Sequence, residues 1–160
     1  MTAPVSGLIG WWADYYGNHQ LVSVAVRFLH VSGLVVGGGT AVRTDWHLLT
    51  AGRRPDRRAE ALGRLAGSHR AVVPSLALVV ASGATMVVGD LDTFIPSRLF
   101  WTKMALFVVL LANGLFLVAA ERAAHHATAS VWGRLGLAST ISLTLWFVLL
   151  FVGTWLTVGA

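Results

Sequence analysis

Four long apolar segments, separated by polar ones, dominate the pattern of the chain. Each is close to the about 20 residues that an α-helix needs to cross a hydrocarbon core of about 30 Å. Backbone groups in lipid must form their hydrogen bonds internally, so each segment is expected to be a helix. The pattern predicts an all-α integral membrane protein, a four-helix antiparallel bundle that forms a single domain over residues 1–160. The predicted spans cover residues 21–39, 71–89, 99–120 and 135–158.

The polar segments differ in charge, and this difference predicts their orientation. Residues 40–70 contain seven arginines against three acidic residues, whereas the segment between the second and third spans holds Asp90, Asp92 and Arg98. By the positive-inside rule, 40–70 is a basic cytoplasmic loop and both termini lie outside the cell inner (cytoplasmic) membrane. Within this loop, residues 56–70 are expected to form a basic surface helix that leads into the second span. Residues 1–20 are rich in tryptophan and tyrosine, which is typical of a segment at the outer interface.

Composition supports the membrane assignment and excludes other classes. Of the 160 residues, 56% are hydrophobic and only 12% are charged, with a mean hydropathy of +0.70. Charge this scarce excludes a soluble enzyme domain, a disordered region and a nucleic-acid module. The lipid bilayer, and not a nucleic acid, is therefore the expected partner. The absence of cysteine excludes disulfides, iron–sulfur clusters and thiolate-ligated metals.

A polar layer is predicted inside the outer half of the bundle. Ionisable residues within spans are costly and usually face the bundle interior or a water-filled path. At 1.5 Å per residue, Arg27 lies about 9 Å and His30 about 14 Å below the outer end of the first span. Lys103 and Met104 lie about 6 to 9 Å below the outer end of the third span, and Met86 of the second span falls at a similar depth.

This layer fits a b-type haem held between helices, as in membrane cytochromes of electron transport. Haem iron accepts a histidine alone or a histidine with a methionine, and helix bundles commonly hold cofactors between facing helices. The expected axial ligand is His30, and Met104 or Met86 is the possible second ligand. The groups expected to receive the propionates, or a quinone carbonyl, are Arg27, Lys103 and Arg98.

Simpler interpretations of the same residues remain open. His30 can serve as a hydrogen-bonding residue between helices, and Arg27 and Lys103 can extend to the interface. The GxxxG of Gly33 and Gly37 can bring helices together or leave room for a flat macrocycle. Four further histidines fall near the cytoplasmic boundary, roughly 15 Å or more from His30, and are expected to be loop residues or, alternatively, a second inner site. They are His47, His69, His125 and His126.

Several short motifs resemble those of small bacterial membrane proteins with four helices. They are F-L-H-x-x-G at residues 28–33, the basic stretch after it, Ser82–Gly83, and F-W-T-K at residues 100–103. This layout resembles the HemJ-type protoporphyrinogen oxidases, the CopD-like membrane domains and an uncharacterised membrane family with L-H-x-x-G and P-x-F-x-x-K motifs. The HemJ resemblance implies bound haem and functional roles for His30 and Lys103.

Three functions follow as hypotheses. The first is a haem-b-binding protein that exchanges electrons with a quinone or a partner protein near the outer face. The second is a non-catalytic accessory subunit of a larger membrane complex, since the sequence holds no complete catalytic constellation. The third is a HemJ-like tetrapyrrole oxidase. Whether the protein is an enzyme stays open at this stage.

Overall fold

The computed structural model describes residues 3–124 and 129–158, and that part of the chain is helical without any β-strand. Among the described residues, four helices are long and apolar enough to cross a membrane: α2, α3, α5 and α6. Each predicted span lies within one of them, so the all-α four-helix architecture is confirmed. The helices are α1 (Ala3–Asn18), α2 (Gln20–Gly52), α3 (Arg58–Gly89), the short α4 (Leu91–Phe94), α5 (Arg98–Ala124) and α6 (Ala129–Val158), with a 3-10 turn at Pro55–Arg57.

Residues 40–52, predicted as part of a loop, continue the helix α2, whereas the surface helix predicted over residues 56–70 corresponds to the start of α3. The helix α2 continues to Gly52 and α3 begins at Arg58, so only a short turn separates them. Apolar side chains of these extensions are buried, and they form a core with the first half of α6 and the end of α5. That packing stabilises helices that hydropathy alone would end earlier. The core residues are Leu48, Ala51, Ala61, Leu65, Leu117, Trp132, Leu135 and Ala138.

The predicted outer segment 1–20 contains the helix α1, which packs against α3 and α2. The indole Nε1 of Trp12 donates a hydrogen bond of 3.1 Å to the carbonyl of Thr85. Tyr16 is buried, and its ring fills the space beside Gly89, where a Cβ would lie 2.6 Å from Cδ1 of the ring. The aromatic residues of this segment thus attach α1 to the end of α3.

The order of packing is α3, α2, α6, α5. The helix α2 packs extensively on both α3 and α6, and α6 packs on α5, whereas α3 and α5 meet at few points. Glycines allow the close approaches: a Cβ on Gly33 would lie 2.9 Å from Cγ2 of Val79, and a Cβ on Gly38 would lie 3.0 Å from the Trp146 ring. The centre of the bundle is therefore the seam between α2 and α6.

Candidate functional site

His30 is directed from α2 towards α3, where two acceptors hold its ring. Its Nδ1 lies 3.0 Å from the carbonyl oxygen of Val79 and 3.0 Å from Oγ of Ser82. A carbonyl oxygen can only accept, and the Ser82 hydroxyl donates to the carbonyl of Leu78 on its own helix. Nδ1 is therefore the donor, and the neutral ring keeps a free lone pair on Nε2. Within the described residues, Nε2 has no hydrogen-bonding partner.

One face of α3 is shaped to receive this ring. Val79, Ser82, Gly83 and Met86 follow one another at helical spacing, so they lie on the same side of α3. A Cβ on Gly83 would lie 3.3 Å from Cε1 of His30, which is closer than most side-chain contacts. The half-buried Met86 lies one turn beyond Gly83 on this face. Of the two methionines predicted as second ligands, Met86 is the one on the helix face that contacts His30.

Lys103 extends inward from α5 and does not simply reach for the membrane surface. Its Nζ would lie 3.5 Å from a Cβ on Gly153 of α6, so the ammonium group lies against that glycine. It is also near enough to His30 to act electrostatically on the ring. Within the described residues, no hydrogen bond or ion pair is made by this ammonium group. The structure thus brings His30 and Lys103 into one region of the bundle, as predicted.

The other predicted residues are not part of this arrangement. Arg27 and Arg98 are exposed, and neither forms an ion pair within the described residues. Arg27 precedes His30 by three residues, yet His30 turns to α3 while Arg27 faces outward. Met104 is half-buried beside Lys103 on α5. These three residues remain candidates by position along the helices and not by contact.

The glycine-rich stretch of α2 serves helix packing. Gly33 and Gly37 are covered by α3, and a Cβ on Gly37 would lie 2.8 Å from Cβ of Ser75. Gly38 is covered by Trp146 of α6. These contacts leave no room for a macrocycle beside the GxxxG, so the close-approach interpretation of the motif holds.

The remaining histidines are scattered. His69 lies 3.3 Å from the Glu121 carboxylate at the end of the bundle where α2 joins α3, and His47 lies on α2 near the same end. His125 and His126 lie outside the described residues. In the part of the chain that the structure describes, no three histidine, aspartate or glutamate side chains form a metal-binding group.

A carboxyl group that the hydropathy pattern does not single out is buried at the α2–α6 seam. Asp45 is only 2% exposed and faces the hydroxyl groups of Ser139 and Ser142. Its Oδ2 and the Oγ of Ser139 nonetheless have no hydrogen-bonding partner among the described residues. Its spacing along α2 could have predicted this burial, because Asp45 follows the packed Gly38 by seven residues and so lies on the same helix face.

Comparison with known proteins adds no relative: no family model, curated protein or solved structure matches the chain.

Proposed function

We propose that the protein binds haem b and carries electrons within the membrane, with His30 as the axial ligand of the iron. The observation that carries this proposal is the state of the His30 ring, whose Nδ1 is held by Val79 and Ser82 while Nε2 has no partner. Metal-ligating histidines almost always donate their other ring N–H to a carbonyl, a carboxylate or water, which fixes the ring and its tautomer. His30 meets this requirement before any ligand is bound.

The half-buried cation near His30 supports the same proposal. A haem carries two propionate carboxylates, and the unpaired ammonium group of Lys103 would attract one of them. Met86, on the α3 face that contacts His30, is the better placed of the two methionines for a second ligand. When bound, the haem would supply reversible one-electron chemistry between ferric and ferrous iron.

The depth of these residues favours an electron partner near the end of the bundle that carries α1. His30 lies ten residues from the start of α2, and Lys103 lies five residues from the start of α5. These positions correspond to about 15 Å and about 8 Å from the ends of the two helices. A quinone in the bilayer or a partner protein at that surface would be within reach for electron exchange.

The decisive experiment is an absorption spectrum of the purified protein, oxidised and dithionite-reduced, with haem supplied during expression. A Soret band and sharp reduced α and β bands, at near one haem per chain by pyridine haemochrome assay, are expected. His30→Ala should abolish these bands, while His19→Ala, at an exposed position between α1 and α2, should retain them. A colourless protein, or full haem content in His30→Ala, would refute the assignment.

A second candidate is an accessory subunit of a larger membrane complex. It is favoured by the sparse contact between α3 and α5, which leaves one side of the bundle without close helix packing. This function predicts a colourless protein that co-purifies with other chains after cross-linking in native membranes. Isolation as a lone, pigmented species would count against it.

The HemJ-like oxidase makes a different prediction: expression of this protein should rescue a bacterial strain that lacks porphyrinogen oxidase.

A further inference from the structure

An open groove lies at the basic end of the bundle, which we define as the end where α2 and α3 are joined by residues 53–57. It has a volume of about 750 Å³, and its lining comes from α2, from the α2–α3 connection and from Thr140 of α6. The groove is separate from the proposed haem site, because Arg53 lies 23 residues beyond His30 in the chain. That separation corresponds to roughly 35 Å along a helix.

Three arginines line the groove and have no anionic partner. Arg53, Arg54 and Arg57 are exposed, and none of them forms an ion pair within the described residues. Two neighbouring arginines outside the groove already have partners. Arg64 pairs with Glu60 at 2.7 Å, and Arg58 donates to the carbonyl of Gly52 and lies over the Trp132 ring.

The acidic groups around the groove do not neutralise these arginines. Glu60 is close enough to interact with Arg57 and His47, but its carboxylate is bound by Arg64. Asp45 is buried at the seam with α6, and the exposed Asp56 of the α2–α3 connection forms no ion pair within the described residues. The three arginines outnumber this one exposed and unpaired carboxylate, and the groove therefore presents an excess of positive charge.

The groove also has an apolar wall, which lies on the same face of α2 as one of its arginines. Trp46, Leu49, Thr50 and Arg53 lie at spacings of three and four residues, so they occupy one face of the helix end. Trp46 is 63% exposed, as tryptophans at a membrane interface commonly are. Moving along this face towards the end of the bundle, the surface changes from apolar to cationic.

We propose that this groove binds the phosphodiester headgroup of an anionic membrane lipid. Arg53, Arg54 and Arg57 contact the phosphate, and Trp46 and Leu49 contact the start of the acyl chains. Basic pockets between membrane helices are suited to such headgroups, and arginine binds phosphate with paired N–H groups. A free phosphate would use the arginines alone and leave the apolar wall without a role.

The test uses the full-length protein in detergent, titrated with dioleoyl phosphatidylglycerol or dioleoyl phosphatidylcholine and read by native mass spectrometry. Phosphatidylglycerol should bind at least about tenfold more tightly. The triple variant R53Q/R54Q/R57Q should lose this preference. The charge-matched control R43Q/R70Q/R134Q changes three exposed arginines outside the groove and should keep it. Equal loss in both variants would overturn the proposal by showing a general charge effect.

A second pair of measurements separates a lipid from a free anion. Trp46→Ala should weaken phosphatidylglycerol binding several-fold, because it removes the apolar wall. Excess inorganic phosphate should displace the lipid only weakly. Full displacement by inorganic phosphate, together with normal lipid binding in Trp46→Ala, would overturn the proposal in favour of a simple anion site. Because the substituted side chains are exposed, each variant should retain the helix content and melting temperature of the parent.

Discussion

The imidazole ring of His30 fills the space that Gly83 leaves on α3, where a Cβ would lie 3.3 Å from Cε1 of the ring. Two acceptors on the same helix, the Val79 carbonyl and the Ser82 hydroxyl, accept hydrogen bonds from the Nδ1–H group of the ring. Shape and hydrogen bonding thus act together, since the ring cannot turn without losing a hydrogen bond. A histidine held in this way presents a single nitrogen, Nε2, to any ligand.

The tautomer of His30 is the first prediction. We expect neutral His30 to carry its proton on Nδ1, because the Val79 carbonyl can only accept. In ¹⁵N NMR spectra of the histidine-labelled protein without haem, Nε2 should resonate as an unprotonated nitrogen. Ser82→Ala should preserve this tautomer, since the Val79 carbonyl remains, and should lower haem affinity about tenfold. A proton on Nε2 would contradict both the tautomer and the assignment of His30 as a ligand.

The glycines of α2 provide a matched pair of substitutions. Gly37→Ala should lower the free energy of unfolding by about 1–3 kcal/mol, because its Cβ would lie 2.8 Å from Cβ of Ser75 and push α2 from α3. Gly39→Ala, two residues away with nothing within 4 Å of its Cβ, should be neutral or slightly stabilising. The measurement is thermal unfolding in detergent. Equal effects of the two substitutions would show that α2 does not approach α3 as described.

Asn113 should stabilise the pairing of α5 with α6. Its Nδ2 donates a hydrogen bond of 3.0 Å to the carbonyl of Ala138. Asn113→Ala should lower stability by about 0.6 kcal/mol, because hydrogen bonds between membrane helices contribute modestly. Thr144→Val is the control, since among the described residues the Thr144 hydroxyl bonds only the carbonyl of Thr140, within its own helix. Denaturant titration would compare them, and a larger effect of Thr144→Val would contradict the prediction.

Asp45→Asn should raise the stability of the bundle. A buried charged oxygen without a partner is costly, and an amide of the same shape removes the charge while offering a donor to Ser139. We expect a gain on the order of 1 kcal/mol in the free energy of unfolding at neutral pH. Asp92→Asn, at an exposed position, should have no effect. Destabilisation by Asp45→Asn would contradict the prediction by showing that the serine hydroxyl groups stabilise the carboxylate.

The sequence predicted the helices because hydropathy reports burial in lipid directly. It predicted that His30 and Lys103 lie in one region because depth along a helix follows from residue number alone. The direction in which each side chain faces around its helix axis was harder to predict from the sequence. Arg27 and His30, three residues apart, were expected to share a face, yet His30 turns to α3 and Arg27 faces outward. Which side of a helix meets a neighbour depends on packing that one helix does not specify.

The extension of α2 over residues 40–52 was missed for a related reason, whereas a helix over residues 56–70 was expected. The arginines of residues 40–70 suggested a solvated loop, but Leu48 of α2 and Leu65 of α3 are buried in the core at the basic end. A helix end with this many charged residues lowers the hydropathy average, although its buried positions recur at helical spacing. Asp45 was placed in that loop, so its burial against α6 could not be anticipated.

The order of packing has a consequence for how the chain is made. The helices α2 and α3 form one hairpin, with its own hydrogen bond between His30 and Val79, and α5 and α6 form another, with the bond between Asn113 and Ala138. Each hairpin can therefore form its own interhelical hydrogen bond as it leaves the ribosome, before the other exists, whereas Asp45 meets Ser139 and Ser142 only when α2 and α6 come together. The last step of assembly is then the packing of the two hairpins against each other along α2 and α6. Coding the halves as separate polypeptides, divided within residues 90–97, should still yield the assembled bundle.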